Sequence, residues 1–306
     1  MNRREFLTLS SAFAGVAGCG RGLDIRPNVA FDGGRKLNIT GVGLEQSVRF
    51  AVIGDTHFAF HDKRDEEYAD FYKRMAQWPT AKAPFEKMLA KIGESGIKTL
   101  LLLGDNISFP TLANIEYLKT ALDASALDWH FIAGNHDWHF EGDGGSDLEQ
   151  RSRWIEKRLL PLYRGRNPLM YSLMVGGLRV VMIDNSAYHI LPEQLEFWRA
   201  EAAKGDPMML AMHIPFWQPG YSIFTCASPD WGAANDPYWQ IERRERWALQ
   251  LTPATAEFRE AVYSTPNLTA ILAGHEHRLM FASADGKVQV VTPSNRNGEY
   301  LEIKVS

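Results

Sequence analysis

Cysteine is scarce, with two residues in 306, Cys19 and Cys226. No network of disulfides can hold this fold together, and none is expected. Neither sign of charge dominates: 33 Lys and Arg stand against 37 Asp and Glu, for a formal net charge of −4. A global basic field for nucleic acid is thereby excluded, so an anionic ligand needs a local positive centre. No internal repeat and no low-complexity tract interrupts the chain. The apolar stretch from about Leu7 to Gly18 falls short of the ~20 residues that cross a bilayer. What is present is ordinary for a globular core, 45% apolar and 23% charged residues, and the length suits a single α/β sandwich.

The first twenty residues form a delivery label. Arg3 and Arg4 precede Phe6-Leu7 and a short apolar stretch of small residues, the secretory pattern. Arg-Arg-Glu-Phe-Leu resembles the twin-arginine export signal, and Val16-Ala17-Gly18-Cys19 resembles a lipobox. These features predict a signal peptide over residues 1–18, lipidation of Cys19, and an anchor at the cell envelope. Lipidation leaves Cys226 as a lone thiol, which suits folding and metal loading before export. Residues 19–46 lack periodicity and are expected to link the anchor to the domain, with room for an edge strand. The domain itself is expected over 47–306.

From there strands and helices alternate. Val48–Ile53 reads as a buried strand ended by Gly54, and Pro84–Ser95 has helical spacing before the apolar run Lys98–Leu103. Asn114–Leu122 suggests a helix before the strand Trp129–Ile132. Gly176-Gly177 marks a hairpin between Met170–Met174 and Leu178–Ile183. Helix then strand recurs as Glu193–Ala203 with Met208–Met212, and as Thr255–Tyr263 with Leu268–Leu272. Asp285-Gly286 joins two candidate strands, and Tyr300–Val305 supplies the last. The class is α/β, most simply two packed mixed β-sheets with helices outside.

Five polar clusters follow apolar runs: Asp55-Thr56-His57, Gly104-Asp105-Asn106, Gly134-Asn135-His136-Asp137, His213, and Gly274-His275-Glu276-His277. Residues just beyond the carboxyl ends of strands converge at one edge of an α/β sheet, and the preceding glycines permit the sharp turns required. Imidazole with carboxylate suits Zn, Mn or Fe better than Ca or Mg. One such cluster alone is more often hydrogen-bonded structure; five in order point to a metal centre.

The set resembles the calcineurin-like metallophosphoesterases, whose pattern is D-x-H, G-D-x-x-D, G-N-H-[DE], a later His, and G-H-x-H. The resemblance covers residues from about 48 to 305 and implies the αββα sandwich of that family. It also implies two divalent or mixed-valence ions of Mn, Fe or Zn. Asp55, His57 and His277 would bind one ion, Asn135, His213 and His275 the other, and Asp105 would bridge them. His136 would touch substrate as the catalytic side chain, and Asp137 would support its neighbours. The implied reaction is hydrolysis of a phosphate monoester or diester, by in-line attack of a metal-activated hydroxide. A non-catalytic metal-containing binding protein or scaffold at the envelope is the alternative.

Position 108 departs from the pattern, with Ser108 where the family often has a second Asp. A serine hydroxyl could orient His136 but would not raise its pKa as a carboxylate does. Position 108 is also not Tyr, and position 57 is His rather than Gly, which disfavours the purple acid phosphatase branch. Substrate choice is expected from residues 59–80 and 216–247, rich in aromatics, with Trp217, Tyr221 and Arg243 as candidate contacts. Those aromatics equally suit a satellite core, and Arg243, Arg244 and Arg246 a solvated helix face. The partners implied are the phosphate ester and, through the lipid anchor, a membrane; nothing indicates nucleic acid or an oligomeric state.

Overall fold

Continuous apolar strands need cover on both faces, and the observed architecture supplies it. A computed structural model of the chain describes residues 25–32, 34–75, 81–140, 143–216, 252–284 and 286–306. Two six-stranded mixed sheets pack face to face with helices outside, as the sequence predicts. The first sheet holds β1 (Asn28–Phe31), β2 (Lys36–Thr40), β3 (Val48–Ile53), β4 (Thr99–Leu103), β5 (Asp128–Ile132) and β12 (Leu301–Val305), in the order β1-β2-β12-β3-β4-β5. The second holds β6 (Met170–Val175), β7 (Leu178–Ile183), β8 (Met208–Ala211), β9 (Leu268–Ala273), β10 (Met280–Ala284) and β11 (Lys287–Val291), in the order β10-β11-β9-β8-β7-β6.

Period-two alternation explains the layers. Phe50 and Val52 of β3, with Leu101 and Leu103 of β4, point between the sheets and meet Val180, Met182, Met209, Ala211, Ala270 and Leu272. Ala51, Ile53, Leu100 and Leu102 point outward to α2 (Lys82–Glu94), whose buried face is Phe85, Met88, Leu89 and Ile92. The outward face of the second sheet meets Leu195 and Trp198 of α6 (Pro192–Ala202) and Phe258 and Val262 of α7 (Pro253–Ser264). Each fully buried side chain of this size contributes roughly 1.5–3 kcal/mol.

Within each sheet the strands that lead into the polar clusters run the same way, although β12, beside β3, runs antiparallel to it. β3, β4 and β5 are mutually parallel, as are β7, β8, β9 and β11. Their carboxyl ends therefore share one edge, and every polar cluster lies there.

Predicted helices and strands shift by a residue or two at their ends. Thr111 caps α3 (Leu112–Ala124) by accepting from Asn114 N–H, and Thr252 caps α7 in the same way. The hairpin at Gly176-Gly177 is present, both residues with positive φ. Residues 28–40 add two paired strands, more than the single edge strand for which the link had room, and β2 lies beside β12. Periodicity missed them because β1 alternates exposed with half-buried residues.

Also unforeseen are α1 (Ala69–Met75) and α4 (Asp147–Trp154), the latter continuing through a π-helical turn over Ile155–Leu159 into α5 (Leu160–Tyr163). In that turn Arg158 pairs with the buried Asp65 and donates to Pro110 O at 2.8 Å. Asp65 also accepts from Leu112 N–H at 3.0 Å, tying residues 63–68 to the start of α3. Tyr68 stacks on Phe140 at 4.0 Å, and Phe71 meets Phe109 and Phe140 edge-on. In the described part of 59–80, then, these aromatics build core. Among the described residues no helix is long and apolar enough to cross a membrane.

Candidate metal centre

Each cluster begins where a parallel strand stops. Asp55 follows β3, Asp105 follows β4, Asn135 follows β5, His213 follows β8 and His275 follows β9. A side chain there must turn back over the edge, and the backbone shows how this is done. Asp55, His57, Asp105, His275 and His277 have φ of 57°, 54°, 52°, 77° and 53°, five of the eight non-glycine residues with positive φ among those described. The left-handed region costs an L-residue about 1–2 kcal/mol. Such strain persists only where surrounding contacts over-determine it, and it concentrates at functional sites.

Those contacts are cross-links between the loops. Asp55 N–H donates to Gly104 O at 3.0 Å, His57 N–H to Asp105 O at 2.9 Å, and Gly274 N–H to His213 O at 2.8 Å. His136 N–H donates to Asp105 Oδ1 at 2.8 Å, and His275 N–H reaches Asp55 Oδ2 at 3.0 Å. Asp137 gathers three N–H groups, from Asp105 at 2.8 Å, Ile107 at 3.0 Å and Gly134 at 2.6 Å. Asp137 thereby ties its own loop to the turn after β4. Gly104 and Gly134 are needed for close approach. A Cβ on Gly104 would lie 2.5 Å from Gly134 N, and one on Gly134 would lie 2.2 Å from Asp105 Oδ1.

The side chains converge as two donor sets sharing one carboxylate. In the first, His57 Nε2 lies 2.9 Å from His277 Nε2 and 3.8 Å from Asp105 Oδ2, and His277 Nε2 lies 3.5 Å from Asp55 Oδ1. In the second, His213 Nε2 lies 3.3 Å from Asp105 Oδ2, 3.2 Å from Asn135 Oδ1 and 3.3 Å from His275 Nδ1. The same oxygen, Asp105 Oδ2, faces both. Ligand atoms of Asp55, His57, Asp105 and His277 lie within 4.8 Å of one another, as do those of Asp105, His213 and His275. Two ligands held at ~2.0–2.2 Å on one ion stand about 3–3.5 Å apart at tetrahedral or octahedral angles. The spacings fit, and mixed nitrogen and oxygen donors suit a transition metal.

Protonation matches at His57, His275 and His277, whereas His213 is held the other way by Asp105. Burial first, then the neighbouring imidazole, holds His57 and His275 well below the usual range. Burial, followed by the charge of Arg296, takes His277 down to about 3. Neutral imidazole is the form that binds metal. Burial would lower His213 too, but the Asp105 carboxylate outweighs it and raises the group to about 10. Burial opposes ionisation of Asp105, yet His213 and His136 hold it well below the usual carboxylate range. Burial and then the Asp105 charge push Asp137 up to about 8, against its N–H donors. His213 Nδ1 faces Leu103 O at 2.7 Å; donating there leaves Nε2 as the lone-pair nitrogen turned to the centre.

Ser108 does not orient His136. Its hydroxyl donates to His57 O at 3.2 Å, because the turn after β4 lays residue 108 alongside residues 57–58, where Ser108 N–H also donates to Phe58 O at 2.8 Å. His136 instead stands edge-on to His57 with centroids 4.9 Å apart, and its buried Nδ1 has no hydrogen-bond partner among the described residues. Cys19, Trp217, Tyr221 and Arg243 lie outside the described residues.

The sequence reading missed a sixth loop at the same edge. β11 runs parallel to β9, and beyond it Ser294 Oγ donates to Asp55 O at 2.7 Å while Asn295 N–H donates to Gly54 O at 3.0 Å. The turn-forming run Pro293-Ser294-Asn295 directly after an apolar strand was the available signal. Asn185, after β7, was missed too; its Oδ1 accepts from His213 N–H at 3.1 Å and Ile214 N–H at 3.0 Å.

The model of the calcineurin-like phosphoesterase family matches residues 48–279. No curated protein matches the chain in sequence. Among solved structures it is similar to a dimetal phosphatase from Danio rerio, at 13% identity over 81% of this chain and 87% of that one, with a TM-score of 0.50. It is also similar to a purple acid phosphatase from yellow lupin (Lupinus luteus) seeds, at 14% identity over 83% of this chain and 46% of that one, with a TM-score of 0.50. At such identities these likenesses show a shared fold and leave residue 108 as Ser. The family match spans all five clusters, and with it the chain belongs to the calcineurin-like phosphoesterases, dinuclear-metal hydrolases of phosphate esters.

Proposed function

We propose that this hydrolase takes phosphate monoesters or diesters and holds two transition-metal ions through the seven side chains of the centre. Asp55, His57 and His277 would hold one ion, Asn135, His213 and His275 the other, and Asp105 both. The observation that carries this reading is the single oxygen, Asp105 Oδ2, facing His57 on one side and His213 on the other. When bound, such a pair of ions supplies hydroxide near neutral pH and neutralises phosphoryl charge.

The chain's own groups do the rest. The cross-linked loops hold the donors rigid, so little reorganisation accompanies reaction. His136 belongs to neither donor set, and its ring borders the first. It donates a hydrogen bond to a phosphoryl oxygen or to the departing ester oxygen. Because Ser108 turns to His57 O, no carboxylate at position 108 strengthens that donation.

The test is an assay of the purified protein with Mn, Zn or Fe on a monoester and a diester model substrate. Turnover is expected, with about two ions bound per chain by elemental analysis. Stoichiometric metal with no turnover across a broad phosphoester panel would instead support a metal-containing scaffold.

The same chain is proposed to work outside the cytoplasm, on a lipid anchor at Cys19. Support comes from the order of Arg3-Arg4, the short apolar stretch and the lipobox-like Val16–Cys19. In a bacterial host with twin-arginine export, Arg3→Lys with Arg4→Lys is expected to retain the protein inside. Cys19→Ala is expected to release it from the membrane pellet. Fractionation that finds both variants distributed like the parent removes the proposal.

A further inference from the structure

Arg296 lies beyond residue 279, where the family match ends, in the loop that meets Gly54 and Asp55 at the edge of the centre. Its backbone is fixed there. Ser294 pairs with Gly54 in an isolated bridge and donates to Asp55 O, and Thr56 Oγ1 donates to Asn295 Oδ1 at 3.2 Å. Asn295 Nδ2 donates back to Glu299 O, and Gly298 N–H to Asn295 O at 2.7 Å, closing the turn around Arg296. Gly298 has φ of 72°, and a Cβ there would lie 2.5 Å from Pro84 O, so the turn is seated against the start of α2. Five of these contacts join residues 294–299 to each other or to residues 54–56, the loop that carries Asp55.

The side chain is uncommitted. Among the described residues the Arg296 guanidinium forms no ion pair, and its Nε is buried without a hydrogen-bond partner. Arg158 pairs with Asp65, Arg179 with Glu201 and Asp206, and Arg151 with Asp184, whereas Arg259, like Arg296, has a buried Nε unpartnered among the described residues but lies over the Tyr263 ring, away from the donor sets. The positive charge of Arg296 acts on His277, His57 and Asp55, the first donor set. A half-buried cation beside a site for cations is unfavourable by itself. An anion on the metals reverses the sign, and a guanidinium fork matches phosphate oxygens.

We propose that Arg296 binds a non-bridging oxygen of the scissile phosphate and favours dianionic monoesters over monoanionic diesters. The inference rests on the hydrolase reading above and deepens it. Two divalent ions less the Asp55 and Asp105 carboxylates leave the centre at about +2. Arg296 adds a further positive charge on the side of the first donor set. A monoester presents a second anionic oxygen for it, whereas a diester carries an alkyl group instead.

The experiment uses the metal-loaded full chain, Arg296→Met and Arg296→Lys, with metal content measured on each. Calorimetric titration with inorganic phosphate is expected to show about 10- to 100-fold weaker binding in Arg296→Met, the loss of a charge-assisted hydrogen bond, at unchanged metal content. Arg296→Lys, which keeps the charge but not the fork, is expected to recover part of it. On model esters, Arg296→Met should raise KM for the monoester by a similar factor and change the diester by less than about threefold. Unchanged phosphate affinity, equal losses on both esters, or loss of metal overturns the proposal. If the parent turns over neither ester, the hydrolase reading fails, while the phosphate titration still judges Arg296.

Discussion

His213→Ala is expected to empty the second metal site and lower kcat/KM by about 10²–10³-fold or more. The lower bound is the usual cost of removing one preorganised stabilising donor. His213 Nε2 is the hub of its set, within 3.3 Å of Asp105 Oδ2, Asn135 Oδ1 and His275 Nδ1. Its removal takes away a ligand that faces the shared Asp105 Oδ2 directly. The orientation of the ring is fixed from outside, by Leu103 O on Nδ1 and by Asn185 on the backbone. Elemental analysis should find about one ion per chain where the parent holds two. The contrast is His136→Ala, which should keep both ions and still lose activity, since His136 is in neither donor set. An empty site in His136→Ala would show that the assignment of its role is mistaken.

Gly104→Ala should be as damaging as deleting a ligand, although glycine binds nothing. At φ of 85° an alanine is strained by about 1–2 kcal/mol. Its methyl carbon would also stand 2.5 Å from Gly134 N and 2.6 Å from His213 Nδ1. Overpacking of this kind costs a further 1–3 kcal/mol or so. Relief requires β4 and β5 ends to part, which carries Asp105 away from Asn135 and His213. Loss of about 2–5 kcal/mol of stability in urea is expected, together with loss of the second ion. Gly93→Ala serves as the comparison: it lies in α2, nothing approaches its added carbon, and alanine favours a helix by about 0.8–1 kcal/mol. Equal midpoints for the two variants would show that the Gly104 contact carries no weight.

How far these effects were legible differs from residue to residue. Asp55, His57, Asp105, Asn135, His213, His275 and His277 each follow an apolar strand by a few positions, so type and placement are both local. The buried strands were readable because both faces are covered, which leaves unbroken runs such as Thr99–Leu103. β1 was not, because a strand at a sheet margin can be half exposed and still pair. The partner of Ser108 was also hidden. Spacing places residue 108 three positions after Asp105, but the hydroxyl goes wherever the turn lays it, and that is His57 O.

From its sequence alone this protein declared a metal centre and its α/β layering, since donor types, strand ends and alternation are properties of short segments, and the order of its motifs carried the resemblance that implies the reaction class. Tertiary structure decided which donors meet. Asp105 lies 108 residues before His213 in the chain, yet their side chains approach to 3.3 Å. It also brought the loop after β11, with Arg296, to the edge where Asp55 stands. Contacts of that separation depend on strand order in two sheets, and strand order is set by packing of the whole core rather than by any local run.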